Sequence, residues 1–351
     1  MKQRNRIYLL LLAFQVLFCW QTIAQTTHST SATKYSLRIC CYNLENFFDS
    51  VDDPQKNDNE FTPNGSYHWT QNKVEEKVKH IYQAITAMGG KECPAIVGVC
   101  EVENADMLKK LLYTTALKKY PYSFVHYESP DQRGIDVALL YRKDKFQVVY
   151  SCPIPLIYDG KTVSTTRDIL YVKGIPTHSA DTLHLFVNHW PSRYGGYAKT
   201  IAKRNKAATL LRHHIDSILQ AIPTAKIICM GDFNDYPYDE SIKQHLRAVA
   251  PDDVKSDELI HLLFPYFTKN NEGTHKYQHS WGILDHLIVN QYFYNAKEGL
   301  QISRSATIFK ANFLLEDDEK NMGQKPFRTN IGMKYHGGFS DHLPVYVDIF
   351  F

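Results

Sequence analysis

Carboxylate, amide and imidazole side chains recur where apolar runs begin or end. Asn43 and Glu45 follow the run Ser36–Tyr42, Glu101 follows Ala95–Cys100, His189 follows Leu183–Asn188, and Asp232 and Asn234 follow Ile227–Met230. Asp285 and His286 precede Leu287–Val289, and Asp341 and His342 precede Pro344–Phe350. Any one of these is ordinary: an Asp behind a strand is commonly a turn residue or a helix cap. A lone His is more often a satisfied core side chain than a catalyst. Glu101 is harder to leave unexplained, because an ionised carboxylate directly behind a buried run needs a partner. If the ends of these runs converge, they form one cluster of oxygen donors with imidazoles beside it. Such donors suit Mg²⁺, Mn²⁺ or Ca²⁺. A thiolate zinc site is not expected, since the chain has no Cys-x-x-Cys pair.

The elements that would position these groups can be read from periodicity. Val74, Val78, Ile81, Ile85 and Met88 step by 4, 3, 4 and 3, one face of a helix that Gly89-Gly90 stops. Trp69 is expected to pack against it. A second helix is expected over Ala105–Lys118, and a long amphipathic one carries Ile201, Ala208, Leu211, Ile215, Ile218 and Ile222. The continuous apolar runs Ser36–Tyr42, Ala95–Cys100, Leu183–Asn188, Ile227–Met230, Leu284–Val289 and Pro344–Phe350 read as strands. Phe124–Tyr127, Val137–Tyr141 and Phe146–Tyr150 read as a meander. Strands outnumber helices and alternate with them, which predicts two sheets packed face to face with helices outside. Asp49–His68, Pro251–Ser280 and Lys310–Gly338 read as irregular. Irregular stretches of this length are usually functional rims or disordered.

Composition bounds the function. Apolar residues make up 44% and charged residues 22%, which excludes collagen-like, coiled-coil and disordered classes. Residues 1–24 read as a signal peptide: Met1–Arg6 is basic, Ile7–Trp20 is apolar but short of a membrane span, and Thr22-Ile23-Ala24 offers small residues for cleavage. Residues 25–35 are expected to be a flexible leader and 36–351 one catalytic domain. The expectation is a secreted or periplasmic chain, soluble after cleavage near Ala24, without stable membrane insertion and monomeric. Lys2, Arg4 and Arg6 account for the formal charge of +3, so without them 37 basic residues face 37 acidic ones. That balance argues against coating nucleic acid by bulk charge. Six cysteines remain after cleavage, too few for a disulfide scaffold in a chain of this length, and they are expected to be free core thiols.

Tyr-Asn-Leu-Glu-Asn at 42–46, Glu101, Asn-His-Trp at 188–190, Gly-Asp-Phe-Asn at 231–234, Leu-Asp-His at 284–286 and Ser-Asp-His-Leu-Pro at 340–344 resemble the endonuclease/exonuclease/phosphatase superfamily. The resemblance runs from about Ser36 to Phe350, and with His189 it is closer to pancreatic-type deoxyribonucleases than to abasic-site repair enzymes. It implies a four-layer α/β sandwich and Mg²⁺-dependent hydrolysis of a phosphodiester, whether nucleic acid or a small diester. Cys100 departs from the Gln that often precedes the metal Glu. A phosphodiester hydrolase must neutralise the phosphate, supply the attacking water and stabilise the leaving alkoxide. In that scheme Glu101, Asn43 and Asp341 hold the metal, and Asp232 orients or deprotonates the water. Asn234 holds the phosphate or that water. His342, paired with Asp285, donates as an imidazolium, or alternatively acts as the base with Asp285 orienting it; His189 is the second donor. Arg133 could reach phosphate. Trp190 and Arg193, in the loop with Tyr194, could contact a base or sugar, or simply pack. The alternatives are a phospholipid-directed hydrolase of sphingomyelinase type, which should carry an exposed aromatic hairpin not evident in the sequence, or a phosphomonoester hydrolase of the same fold. A binding module that has lost catalysis would lack one of these carboxylates or His, and all are present.

Overall fold

The computed structural model describes residues 35–158, 164–269 and 271–351. The expected signal peptide, and the leader apart from Tyr35, lie outside the described residues. Strands β1 (Ser36–Phe47), β2 (Ile96–Val102), β3 (Tyr122–His126) and β4 (Asp136–Arg142) belong to one sheet. Late in the chain β14 (Gln301–Ile302), β15 (Thr307–Ile308) and β20 (Val345–Phe350) join it, giving the order β14-β20-β1-β2-β4-β3 with β15 beside β20. The second sheet runs β5 (Phe146–Ile154), β6 (Ile169–Pro176), β7 (Leu183–His189), β8 (Lys226–Asp232), β13 (Asp285–Asn290), β10 (Leu259–His261) and β9 (Ala248–Val249). Both are mixed: β1–β2 and β7–β8 are parallel, while β1–β20 and β8–β13 are antiparallel. Three ribbons stand apart: β11 (His275–Tyr277) with β12 (Ser280–Gly282), β16 (Leu315–Asp317) with β17 (Gln324–Pro326), and β18 (Asn330–Ile331) with β19 (Lys334–Tyr335).

Strand period fixes the layers. Leu185, Val187, Ile228, Met230, Leu287 and Val289 join the core shared with Ile39, Cys41, Val97 and Val99 of the first sheet. The residues between them, Phe186, Ile227, Cys229 and Ile288, form a second core with Ala207, Ala208, Leu211 and Ile215 of the helix α3 (Tyr197–Ala221). Successive strand side chains point to opposite faces, so the second sheet is covered by the first sheet on one side and by α3 on the other. Gly98 marks how closely the sheets approach, since a Cβ there would lie 2.7 Å from Met230 Sδ. Helix α1 (Gln71–Gly89) buries Val74, Val78, Ile81, Ile85 and Met88, the face read from sequence. Gly90, at φ 68°, ends it with a conformation that Gly adopts freely.

The structure also corrects several expectations. Helix α2 (Ala105–Thr114) is shorter than read; Thr115 is extended, its hydroxyl bonds Leu111 O, and a 3₁₀ turn takes over at Ala116–Lys119. The third strand of the expected meander, β5, lies in the other sheet, paired with β6 rather than β4. A short turn normally signals a hairpin, but here the Lys143–Lys145 turn is a corner between sheets. Strand β6 was missed. Trp69 is fully buried, edge-on to Phe61 and Tyr335 with its indole N–H on Phe48 O. All six cysteines from Cys40 onward are free thiols, and all but Cys152 are buried. No helix among the described residues is long and apolar enough to cross a membrane.

Candidate active site

The strand pairings bring the polar run-ends to one edge of the sandwich. His189 lies opposite Asp232 across the parallel β7–β8 pair, and Asp232 lies opposite Asp285 across β8–β13. Asn43 lies opposite Cys100, next to Glu101. Here β1 and β2 both break register, and Glu45, Asn46 and Glu101 adopt φ of 50°, 55° and 64°. Such backbone is uncommon for non-glycine residues and re-aims side chains out of the regular pleat. In the second sheet Gly231 takes φ 139°, and a Cβ there would lie 1.9 Å from Asn188 O, so only glycine fits before Asp232. Asn188 is wholly buried and satisfied: Nδ2 donates to Phe186 O and Met230 O, and Oδ1 accepts from the Trp190 indole.

At the centre is Asp232, 2% exposed. Its Oδ2 accepts from Asn43 Nδ2 at 3.0 Å and Asn234 Nδ2 at 3.2 Å, and its Oδ1 accepts from Asn234 N–H at 2.9 Å. His189 Nε2 and His342 Nε2 lie 3.7 and 3.8 Å from the same Oδ2. Burial, relieved in part by His342, pushes the Asp232 carboxyl up to about 7. His342 Nδ1 is 2.6 Å from Asp285 Oδ2. Burial opposes the charge on His342, but Asp285 and Asp232 outweigh it and hold the imidazole well above its ordinary 6.5. His189 moves the other way: burial and the positive charges of Arg167, Arg133 and His342 hold it well below 6.5, so it is neutral. Its Nδ1 has no hydrogen-bond partner among the described residues.

Glu101 Oε1 lies 3.3 Å from Asn43 Nδ2 and 3.7 Å from His189 Nε2, and its Oε2 accepts from Asn46 N–H at 2.8 Å. Asn43 therefore presents its amide nitrogen to both carboxylates, while its oxygen accepts from Glu45 N–H at 3.0 Å. In this arrangement the Asn43 amide holds Glu101 and Asp232 together. Asp341 accepts from Arg328 at 2.9 Å. Burial opposes its charge, but His342, Arg328, His275 and Lys77 hold it below its ordinary 3.8. Cys100 donates from Sγ to Asn188 O at 3.3 Å, tying the two sheets together behind Glu101.

Two expected substrate contacts are corrected as well. Trp190 is 1% exposed, tilted over Phe233 at 4.5 Å, so its rings cannot stack on a ligand. Arg193 donates to Asn234 O and Asp235 at 2.9 Å and also to Asp239, so it braces the Gly-Asp-Phe-Asn turn. Arg133 is exposed, its Nε 3.8 Å from Asp131, within reach of a ligand.

Glu45, which the sequence placed behind the first strand without a role, is joined at the site by neighbours that sequence reasoning missed. Glu45, 3% exposed, accepts from the N–H groups of Thr329 and Asn330 at 2.6 and 3.2 Å and from Arg328 at 3.4 Å. Burial and Asp341 push it up to about 7. Lys77 of α1 is buried, donates to Thr329 Oγ1 and Phe339 O, and is lowered to about 8 by burial. His275 shares with Asp341 and His342 a set of three ligand atoms within 4.8 Å of one another. Its spacing to His279 was the available signal, yet His279 turns away to Asn321 O. Arg328 lies in an irregular stretch with no sequence signal at all.

The donor set fits a hard divalent cation. Glu101 and Asp232 are bonded by amides and flanked by imidazoles, and among the described residues no Lys or Arg is bonded to either. Glu101, a carboxylate held beside Asp232 with no Lys or Arg bonded to it among the described residues, favours a metal bound through oxygen.

An α/β sandwich with acidic and imidazole groups gathered at one edge is the class that fold and site define. The family model described as Endonuclease/Exonuclease/phosphatase family matches residues 38–350, and the chain belongs to that family. Its members are metal-dependent hydrolases of phosphodiesters or phosphates. No curated protein matches the chain in sequence. Among solved structures, an endonuclease/exonuclease/phosphatase family protein from Bacteroides thetaiotaomicron is 15% identical with a TM-score of 0.54, covering 91% of this chain and 99% of its own. A humanized D. rerio TDP2 is 15% identical with a TM-score of 0.55, covering 90% and 98%. The human Nocturnin catalytic domain with a bound sulfate anion is 19% identical with a TM-score of 0.54, covering 90% and 95%. At these identities the likeness shows the fold.

Proposed function

We propose that the chain is a divalent-metal-dependent phosphodiester hydrolase, with Mg²⁺ the fitting ion and Mn²⁺ or Ca²⁺ able to replace it. One observation carries this reading: His189 Nε2 and His342 Nε2 both converge on Asp232 Oδ2, and Glu101 Oε1 lies 3.7 Å from the same His189 Nε2. Glu101 and Asp341 would hold the ion, which when bound neutralises charge on a phosphate oxygen. The chain's own groups supply the rest. Asp232, fixed by Asn43 and Asn234, takes the proton of the attacking water. His342, charged through Asp285, donates to the phosphate from Nε2. Its raised pKa favours the donor role over the alternative of a base, because a base must be deprotonated at working pH. His189, neutral, donates an uncharged N–H beside it, and Arg133 offers a further positive charge.

A phospholipid substrate is the second reading, for one specific reason. The β11–β12 hairpin exposes Tyr277 (66%), and Lys276 of the same hairpin bonds Met322 O of the β16–β17 loop, where Met322 is 83% exposed. Exposed apolar tips of this kind could rest on a lipid surface. A hydrolysis panel at fixed Mg²⁺ separates the readings: plasmid, RNA, bis-p-nitrophenyl phosphate, sphingomyelin and inositol phosphates. The proposal expects turnover of bis-p-nitrophenyl phosphate and at least one nucleic acid. Turnover of sphingomyelin alone would transfer the assignment to lipid, and turnover of inositol phosphates alone would refute the diesterase.

A further inference from the structure

Asp341, which with Glu101 is assigned to the ion, does not stand alone at the catalytic edge. Its Oδ2 accepts from Arg328 Nη2 at 2.9 Å. Arg328 is held from behind in turn. Its Nε donates to Oε1 of Glu45 at 3.4 Å, and Glu45, 3% exposed, is fixed by the N–H groups of Thr329 and Asn330. One guanidinium thus spans two carboxylates, the buried Glu45 and the half-buried Asp341.

The backbones that carry this pair are also fixed to one another. Gly338 N–H donates to Arg328 O at 3.1 Å, and Ser340 N–H to Phe327 O at 3.3 Å. A Cβ at Gly338 would lie 2.4 Å from Arg328 O, so glycine lets the two segments touch. Lys77 ties them again through Thr329 Oγ1 and Phe339 O. Ser340, the residue before Asp341, donates from Oγ to Asn43 O at 2.7 Å. Arg328 and Asp341 therefore meet in one geometry, with little side-chain freedom left to lose. Their side chains are 40% and 23% exposed, so the pair is open to an ion arriving from solvent. A guanidinium on Oδ2 makes a strong charge-assisted bond, sets positive charge on that side and directs a second cation to Oδ1. Mg²⁺ takes single oxygens in a tight octahedron and keeps several waters, whereas Ca²⁺ gathers more oxygens, often both of one carboxylate.

We propose that Arg328, anchored by Glu45, sets the metal preference of the site: it holds Asp341 to one oxygen and so favours Mg²⁺ over Ca²⁺. It acts through Asp341 and is a positioning residue. This rests on the metal-dependent reading, and its test reads binding instead of turnover. Mn²⁺ bound to the full chain is followed by electron paramagnetic resonance, counting the binding that Glu101→Gln removes. Mg²⁺ and Ca²⁺ are titrated as competitors, and the ratio of their two competition constants is the readout. Losing a positive charge beside Asp341 strengthens both ions alike, whereas freeing Oδ2 helps Ca²⁺ selectively. Arg328→Met should shift the ratio toward Ca²⁺ by about tenfold, and Glu45→Gln by less in the same direction. Arg328→Lys keeps a cation for Oδ2 and should stay near the wild-type ratio. An unchanged ratio in Arg328→Met, or in Glu45→Gln if the former does not fold, would overturn the proposal. Loss of both ions from a folded Arg328→Met protein would overturn it too, because preference between them would not be what Arg328 controls. Wild type that binds no Mn²⁺ would sink the metal-dependent reading itself, and this proposal with it.

Discussion

Two histidines share one carboxylate oxygen and differ in charge, and that difference sets what replacing them should do. His342 is held protonated by Asp285, whereas His189 is held neutral by burial and by Arg167 and Arg133. Either →Ala change should cost about 10²–10⁴ in kcat, the usual worth of a positioned donor. Gln restores an uncharged N–H but no positive charge. His189→Gln should therefore recover part of the loss and His342→Gln almost none, read from steady-state kinetics on bis-p-nitrophenyl phosphate. Equal recovery at both positions would contradict the charge assignment. The pH profile carries the same logic with a definite sign. Asp232 must be ionised to accept a proton and sits at about 7, so kcat/KM should rise as pH climbs toward neutrality. It should fall again only well above 6.5, where His342 loses its proton. Asp232→Asn should abolish the acid limb along with most of the activity.

At the scale of elements, the site depends on the ends of β7, β8 and β13 held in register beside the breaks in β1 and β2. The tightest point is Gly231 between Asn188 and Asp232. Gly231→Ala should lower stability by on the order of 3 kcal/mol, from strain at positive φ and a clash with a backbone carbonyl that cannot move aside. The denaturant midpoint measures this, and an unshifted midpoint would show that the β7–β8 turn is slack. This position also shows why much of the site was legible in the sequence. Asn188, Gly231, Asp232 and Asn234 are local to their strands, so chemistry and position travel together along the chain. The same holds for the strands whose alternate residues are both apolar, such as β8. Strand β6 escaped because Tyr171, Lys173 and Gly174 interrupt its apolar pattern. The sheet assignment of β5 escaped because a short turn looks alike in a hairpin and at a corner. The sequence left ligand contact and packing both open for Trp190 and Arg193, because an aromatic and a cation in a Pro- and Gly-containing loop look the same whether they face a ligand or the interior. Arg328 and His275 reach the site from segments without periodicity, and only the tertiary fold brings them there.

For the molecule as a whole, the charge balance and the geometry point the same way. Arg133, Lys203 and Lys206 line one cleft. Arg204 and Arg193 are both paired with Asp235. The charge left for a cation is that of Glu101, held beside Asp232 by Asn43 and, among the described residues, with no Lys or Arg bonded to it. The account stands on a divalent cation meeting that charge. The most direct measurement is the hydrolysis of bis-p-nitrophenyl phosphate in excess EDTA, followed by titration with Mg²⁺ or Mn²⁺, for wild type and for Glu101→Gln. The account predicts that chelation abolishes turnover and that added metal restores it in wild type, but not in Glu101→Gln at the same concentration. Full turnover in excess chelator, or equal restoration in the two proteins, would contradict it.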